Sequence, residues 1–233
     1  NFILKTAAPG GNNVQEQYKF VITEAPLVVP TVVISHSLAL AHEKLLHSGT
    51  NARFHYRRPV LKNLSIPTGQ TTTSHNNIFT GALPERIFLA MVSDAAMAGH
   101  YQHNPLNFQH FNASQVALYV DSIMIPGRAF TPDFANNRYA REYNNLFQVT
   151  GTYLGKDTVD ITRTEFGSGY TVWAFDLTVD QGCERCKSSP RTGVVRVEIK
   201  FAGATAETIN IICYGEYSTF IELDKNRNVI KDF

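Results

Sequence analysis

From Val195 to Phe201 the chain alternates without a break: Val195, Val197, Ile199 and Phe201 against Arg196, Glu198 and Lys200. A side-chain period of two places the four apolar residues on one face of a β-strand and the three charges on the other. One face is dry. The other is solvated or paired with charged neighbours, so this strand is not sandwiched between two apolar layers. The same habit recurs from Arg86 to Val92, where Ile87, Leu89 and Met91 share a face. One-sided strands of this kind point to antiparallel sheets whose work is done by surfaces.

Along the chain, residues 1–16 include Pro9-Gly10-Gly11-Asn12-Asn13 and are expected to be a linker or N-terminal arm. Residues 17–233 are expected to form a single domain. Tyr18 to Ile34 is rich in Val, Ile and Thr but broken by Pro26 and Pro30, which marks an edge or bent strand. Ser35 or Ser37 can cap a short helix running to about Leu46, with Leu38, Ala41 and Leu45 as its apolar stripe and Gly49 ending it. Strands are expected over Ala52–Ile66, Arg86–Val92, Val116–Ile125 (closed by Pro126-Gly127), Tyr170–Val179, Val194–Phe201 and Thr208–Leu223. The polar tract Thr68–Asn77 is read as loop, Ser93–Phe111 as loop-rich, and Asn136–Phe147 as a short helix facing inward through Tyr139, Tyr143 and Leu146-Phe147. Runs of strands joined by long loops define an all-β fold, an eight-stranded antiparallel jelly-roll sandwich with one or two short helices in the connections.

The 233 residues are 43% apolar, enough for one large all-β domain. A net charge of +1 argues against a nucleic-acid footprint, which needs a clustered basic face. Only Arg57-Arg58 and Arg138 with Arg141 are basic clusters, and both read as solvated faces or subunit ion pairs. No run approaches the ~20 apolar residues of a membrane helix, so no membrane insertion is expected. Three cysteines, Cys183, Cys186 and Cys213, make a poor disulfide framework and fit a reducing compartment.

Motifs that resemble reaction centres fail on spacing. His42-Glu43 and His47 have the look of a zinc-protease helix, but that motif needs histidines four apart. Five apart turns the second ring away by about 140°. His100, His103 and His110 form a looser loop cluster with no carboxylate or cysteine beside it in sequence. Jelly-roll iron enzymes use a His-x-Asp/Glu pair plus a later histidine. Here none of the eight histidines is followed two residues on by Asp or Glu, and none lies beyond His110. Cys183-Glu-Arg-Cys186 lacks the four ligands of a structural zinc site and the helix of a redox motif, so it reads as two loop thiols or an occasional disulfide. Gly167-Ser-Gly169 lacks the third glycine of a dinucleotide loop, since position 172 is Val172. Asn63-Leu-Ser65 and Asn112-Ala-Ser114 are formal glycosylation sequons. No catalytic, cofactor-binding or metal-ligating residue is assigned, and no enzymatic activity or cofactor is expected.

Several segments, taken in order, resemble the double-jelly-roll major capsid proteins of large DNA viruses, and most closely the hexon-like capsid proteins of Polinton/Maverick elements and adintoviruses. They are Leu83-Pro84-Glu85-Arg86-Ile87-Phe88-Leu89, Asn104-Pro105-Leu106-Asn107-Phe108-Gln109-His110-Phe111, Leu118-Tyr119-Val120-Asp121, Pro132-Asp133-Phe134, Tyr170-Thr171-Val172-Trp173-Ala174-Phe175-Asp176-Leu177 and Ile221-Glu222-Leu223-Asp224-Lys225-Asn226-Arg227. The family's full-length protein carries two jelly rolls in tandem, and this chain is similar to the C-terminal one. The resemblance implies a structural protein of the virion capsid, related to capsid proteins of nucleocytoplasmic large DNA viruses and assembled inside the host cell, in cytoplasm or nucleus. Its implied partners are its own copies in a homotrimeric, pseudo-hexameric capsomer, the preceding N-terminal jelly roll, and other capsid proteins such as a penton. The rival readings are a single-roll penton or minor capsid protein, and a jelly-roll module that binds carbohydrate or a receptor. The last predicts a concave aromatic site, whereas the one tryptophan, Trp173, is expected to be buried.

Overall fold

The computed structural model describes residues 21–100, 102–151, 160–178 and 190–231. In chain order these hold α1 (His36–His47), β1 (Ala52–Ile66), β2 (Thr72–His75), β3 (Thr80–Ala82), β4 (Arg86–Ser93), α2 (Asp94–Met97), β5 (Ala113–Val120), β6 (Ile123–Phe130), α3 (Ala140–Thr150), α4 (Arg163–Phe166), β7 (Val172–Asp176), β8 (Thr192–Phe201), β9 (Ile209–Leu223) and β10 (Val229–Lys231). One sheet has the order β1-β9-β4-β7, with β10 also on β9. The other has the order β2-β8-β5-β6, with β3 also on β8.

β2 pairs Thr72–His75 with Lys200–Val197, and β3 pairs Thr80–Ala82 with Val194–Thr192. They are two pieces of one interrupted strand against β8. Counted so, eight strands form two four-stranded layers, and the short β10 adds a ninth on β9. From β1 to β9 every connection crosses from one layer to the other except the β5–β6 hairpin. That is the strand order of a jelly roll, as the alternating pattern led us to expect.

By internal packing the chain divides into two units. Residues 59–217 hold the core. Ile87, Leu89 and Met91 of β4, Trp173 and Phe175 of β7, and Ile209, Ile211 and Cys213 of β9 pack against Val116, Leu118 and Val120 of β5 and Val195, Val197, Ile199 and Phe201 of β8. Burying each such side chain contributes about 1.5–3 kcal/mol. β8 does what its alternation demands. Its apolar face is buried, while on the wet face Glu198 lies 3.9 Å from Arg196 and 3.6 Å from Lys200. The Arg196 guanidinium also sits 4.2 Å from the ring centroid of Tyr119, its cross-strand neighbour.

β4 and β7 are apolar on both faces because a second cluster covers their outer side. Tyr139, Leu146, Val149 and Phe166, from α3, α4 and their approach, pack on Ala174, Phe88 and Val172. Arg141 fixes the start of α3, donating to the carbonyls of Ala129 and Arg128 at 2.7 Å each while stacking over Phe130. Tyr139 and Leu146 face inward as expected, and Tyr143 and Phe147 are half-buried.

Four local expectations need correction. The strand read as Val116–Ile125 is a hairpin: β5 ends at Val120 and β6 runs on through Pro126-Gly127 to Phe130. The turn is Asp121-Ser122, with φ of 48° and 73°, the two positive values that a two-residue hairpin loop needs. Neither residue is glycine, so the turn left no sequence mark. The Asp121 carboxylate instead accepts the Val194 N–H at 2.9 Å, so close to Gly193 that a side chain there would clash. The Thr68–Asn77 tract contains β2, whose polar residues suit an edge position on β8. Residues 21–34 form no strand. The short strand β10 was also unforeseen. It closes a hairpin on β9 through Asp224, whose Oδ1 accepts the backbone N–H groups of Asn226 and Asn228.

The other unit comprises residues 1–58 and 218–233. Its described part holds α1, the start of β1, the end of β9, and β10. Arg53 and Asn51 both donate to Glu222, at 2.6 and 2.9 Å, and the Arg53 guanidinium lies over the Phe220 ring, with His55 edge-on to the same ring. None of its described apolar side chains is buried.

Candidate interaction surface

Residues 21–34 carry Val21, Ile22, Leu27, Val28, Val29, Val32, Val33 and Ile34, all exposed, with Val28 at 86% and Val33 at 97%. Glu24 is their only charged neighbour. Pro26 and Pro30 each remove a backbone donor, and this segment, residues 21–34, lies in no helix or strand. None of its backbone groups is hydrogen-bonded to another described residue. α1 continues the theme. Its N-cap, Ser35, was legible in sequence, though the hydroxyl makes no capping bond. Leu38 and Leu45 of the expected stripe are exposed, as is Leu40, and the helix buries no residue.

The histidines do not converge. His42 and His47 sit exposed on α1. The rings of His100 and His103 meet edge-on at 4.9 Å, but His110 turns away and stacks flat on Phe134 at 3.9 Å. His110 Nδ1 accepts the Asn112 N–H at 2.9 Å, and partial burial lowers the pKa of the ring. From Phe134 the aromatic contacts run on through Tyr139 and Phe166 to Tyr143, a prop for the loops at this end of the sandwich. Among the described residues no group of His, Cys, Asp and Glu could hold a metal ion.

A cleft of about 390 Å³ opens beside this prop, lined by Asn112, Ala113, Ser114, Pro132, Asp133, Phe134, Ala135 and Ala202. Its one carboxylate, Asp133, is already engaged by the side chain and N–H of Asn136, which hold its pKa below the ordinary value. Glu142 is a buried acid near the start of α3, and burial raises its pKa. Trp173 is buried between the sheets. Cys213 is buried, and burial pushes its thiol pKa up to about 12, which makes it a poor nucleophile. Cys183 and Cys186 lie outside the described residues. Gly169, with φ of 101°, makes the turn that leads into β7. Asn63 and Asn112 of the two sequons are both exposed. Arg57 and the Arg138–Arg141 pair are exposed, whereas Arg58 is half-buried. No described helix is long and apolar enough to cross a membrane.

Sequence reasoning missed the outer cluster that α3 and α4 build on β4 and β7. The signal was present in the unbroken apolar runs Phe88–Val92 and Val172–Phe175, which mark strands covered on both faces.

The protein has the architecture of an antiparallel jelly roll, defined by its own strand order. No family model matches the chain. It is 25% identical over 225 residues to an uncharacterized protein of Caenorhabditis elegans, a match that takes in 95% of this chain and 54% of that protein. The chain thus spans about half the length of the curated relative it matches. Similar solved structures include that of the Sputnik virophage (TM-score 0.47, 10% identity, 78% of this chain and 39% of that one). They also include the PBCV-1 virus capsid (0.47, 7%, 83% and 54%) and the mavirus major capsid protein (0.41, 12%, 78% and 41%).

Proposed function

We propose that this chain is a structural subunit of a viral capsid: the C-terminal jelly roll of a hexon-like major capsid protein, without enzymatic activity. In this reading residues 17–233 are one roll, residues 1–16 lead into it from a preceding N-terminal roll, and three such subunits make a capsomer in the virion shell. One observation carries it, the jelly-roll strand order β1-β9-β4-β7 over β2-β8-β5-β6. Because a fold by itself does not name a function, the reading rests also on the ordered segments that resemble the Polinton/Maverick and adintovirus proteins. The Trp173 ring lies in the core, which removes the obvious aromatic platform of a carbohydrate-binding module.

The test is native mass spectrometry and electron microscopy of the polypeptide made from its complete reading frame. The expected result is a trimer of subunits roughly twice as long as this chain, in line with the 54% of the relative that it spans, forming hexagonal capsomers. A complete polypeptide carrying only one roll would favour the penton or minor capsid reading. A soluble monomer with clear hits on a glycan array would replace the capsid reading with the binding module.

A further inference from the structure

We infer that the cleft between Ser114 and Asp133 is a binding site for one neutral sugar unit, recognised through its hydroxyl groups. The inference goes beyond the capsid reading, and every residue it uses belongs to the unit that holds the core. Three observations carry it.

The first is a built cavity. Its volume of about 390 Å³ falls within the roughly 300–1,000 Å³ of small-molecule sites. Both walls are fixed. On one, the Ala202 N–H donates to the Asn112 carbonyl at 2.9 Å and the Ser114 hydroxyl to the Lys200 carbonyl at 3.2 Å. On the other, Asp133 and Arg138 exchange backbone hydrogen bonds of 3.0 and 2.8 Å. His110 ties the two together, since its Nδ1 takes the Asn112 N–H while its ring stacks on Phe134. Walls set in advance spare the ligand the cost of ordering them.

The second is the set of polar groups. Asp133 Oδ1 accepts the Asn136 N–H at 3.1 Å, and Oδ2 accepts the Asn136 side-chain amide at 2.8 Å. A carboxylate has about four acceptor positions, so each oxygen keeps room for a further donor. The bonds from Asn136, with the charge of Arg138, hold the Asp133 pKa below its ordinary value, and the group stays an acceptor. Ser114 has committed its proton to Lys200 and is left an acceptor as well. The Asn112 side-chain amide makes no hydrogen bond to another described residue, and it offers two donors and an acceptor. A hydroxyl both donates and accepts, so a ligand bearing several can satisfy all three residues. An ammonium group cannot accept from Asn112, and an anion cannot donate to Asp133.

The third is charge. Asp133 is the only charged residue lining the cleft, and the Arg138 cation beside it offsets its field. Between Asp94 and Asp121 the chain carries no Asp, Glu, Lys or Arg, so the wall of Asn112 and Ser114 is neutral. The Phe134 ring is already stacked by His110 at 3.9 Å and by Tyr139 at 5.1 Å, which removes it as a platform for a cation. A neutral ligand read by hydrogen bonds is what remains.

The experiment uses the 233-residue chain with isotope-labelled alanine methyls, because Ala113, Ala135 and Ala202 line the cleft. Free glucose, galactose and mannose are titrated to about 100 mM by nuclear magnetic resonance, with putrescine and inorganic phosphate as charged alternatives. At least one hexose should shift those methyls saturably, with a dissociation constant of about 1–10 mM. Asp133→Asn should weaken binding by roughly tenfold or more. Asn112→Gly, which tolerates the φ of 52° there, should weaken it likewise. Ala135→Leu, at an exposed position, should fill the cleft and abolish binding while the remaining alanine methyls keep their positions. No shift with any hexose would overturn the inference. So would a shift that survives Ala135→Leu, or tighter binding of putrescine or phosphate than of every hexose. Assembly of the complete polypeptide decides the capsid reading, so either can fail without the other.

Discussion

Replacing Ile199 by alanine tests whether the alternation of β8 governs the fold. Ile199 is fully shielded from solvent, in the cluster that joins both sheets. Truncating such a residue removes its transfer free energy and leaves a cavity, at a cost of about 2–5 kcal/mol. The two-sided packing leaves little room for collapse, which argues for the upper half of that range. Lys200 is the next residue, on the opposite face, and its ammonium lies 3.6 Å from Glu198. An exposed pair of this kind contributes at most about 1 kcal/mol, so Lys200→Ala should fall within roughly that margin. Urea unfolding followed by Trp173 fluorescence and far-ultraviolet circular dichroism reads both, since Trp173 is buried and is the only indole. With a slope of about 2–3 kcal/mol per molar urea, Ile199→Ala should lower the midpoint by roughly 1–2 M and Lys200→Ala by less than about 0.5 M. Equal shifts would refute the claim that one face of β8 builds the core while the other is solvated.

Other outcomes follow from single contacts. A side chain at Gly215 would meet Phe79 at 2.9 Å and Pro84 at 3.3 Å, so Gly215→Val should cost about 1–3 kcal/mol by overpacking, read as a lower urea midpoint. The Thr162 hydroxyl accepts the Glu165 N–H while Glu165 receives the Thr162 N–H; Thr162→Ala should cost about 0.5–2 kcal/mol and speed amide exchange in α4. Burial raises the Glu142 pKa, so between its unfolded and folded values the folded chain keeps a proton that the unfolded chain releases, and stability falls as pH rises through that window. Glu142→Gln should flatten that slope in pH-dependent melting, and an unchanged slope would clear Glu142 of responsibility. The Cys213 thiol, raised from 9.0 to about 12, should contribute stability below pH 9 that is lost as pH climbs toward 12. In a Cys183→Ser/Cys186→Ser chain it should resist an alkylating reagent at pH 8 until urea unfolds the protein; rapid labelling of the native chain would contradict its burial.

Much of the fold was legible because strands announce themselves by a period of two. Val195–Phe201 alternates in sequence and packs by the same alternation, whereas Ile87–Met91, read as a one-sided strand, is apolar throughout and is covered on both faces. Of the two candidate caps, Ser35 stands directly before α1, and the helix ends at His47, one residue past the expected Leu46. What escaped were features whose cause lies far along the chain. Thr72–His75 is polar and becomes a strand because β8 offers it an edge. Asp121-Ser122 turns without glycine because its carboxylate finds the Val194 N–H, seventy-three positions on. Lys62 of β1 settles over the Phe79 ring, a contact that no spacing announces. The same division holds for the candidate surface. The apolar character of residues 21–34 is plain in sequence, but a Val-rich run reads equally well as a core strand. Only the tertiary structure shows its side chains exposed and its backbone groups without a hydrogen bond to another described residue. Local sequence thus determined which segments extend and which face of each is apolar, because side-chain direction follows from backbone geometry alone. Partner choice, register and exposure were decided in three dimensions, because each depends on what the rest of the chain brings to the other side.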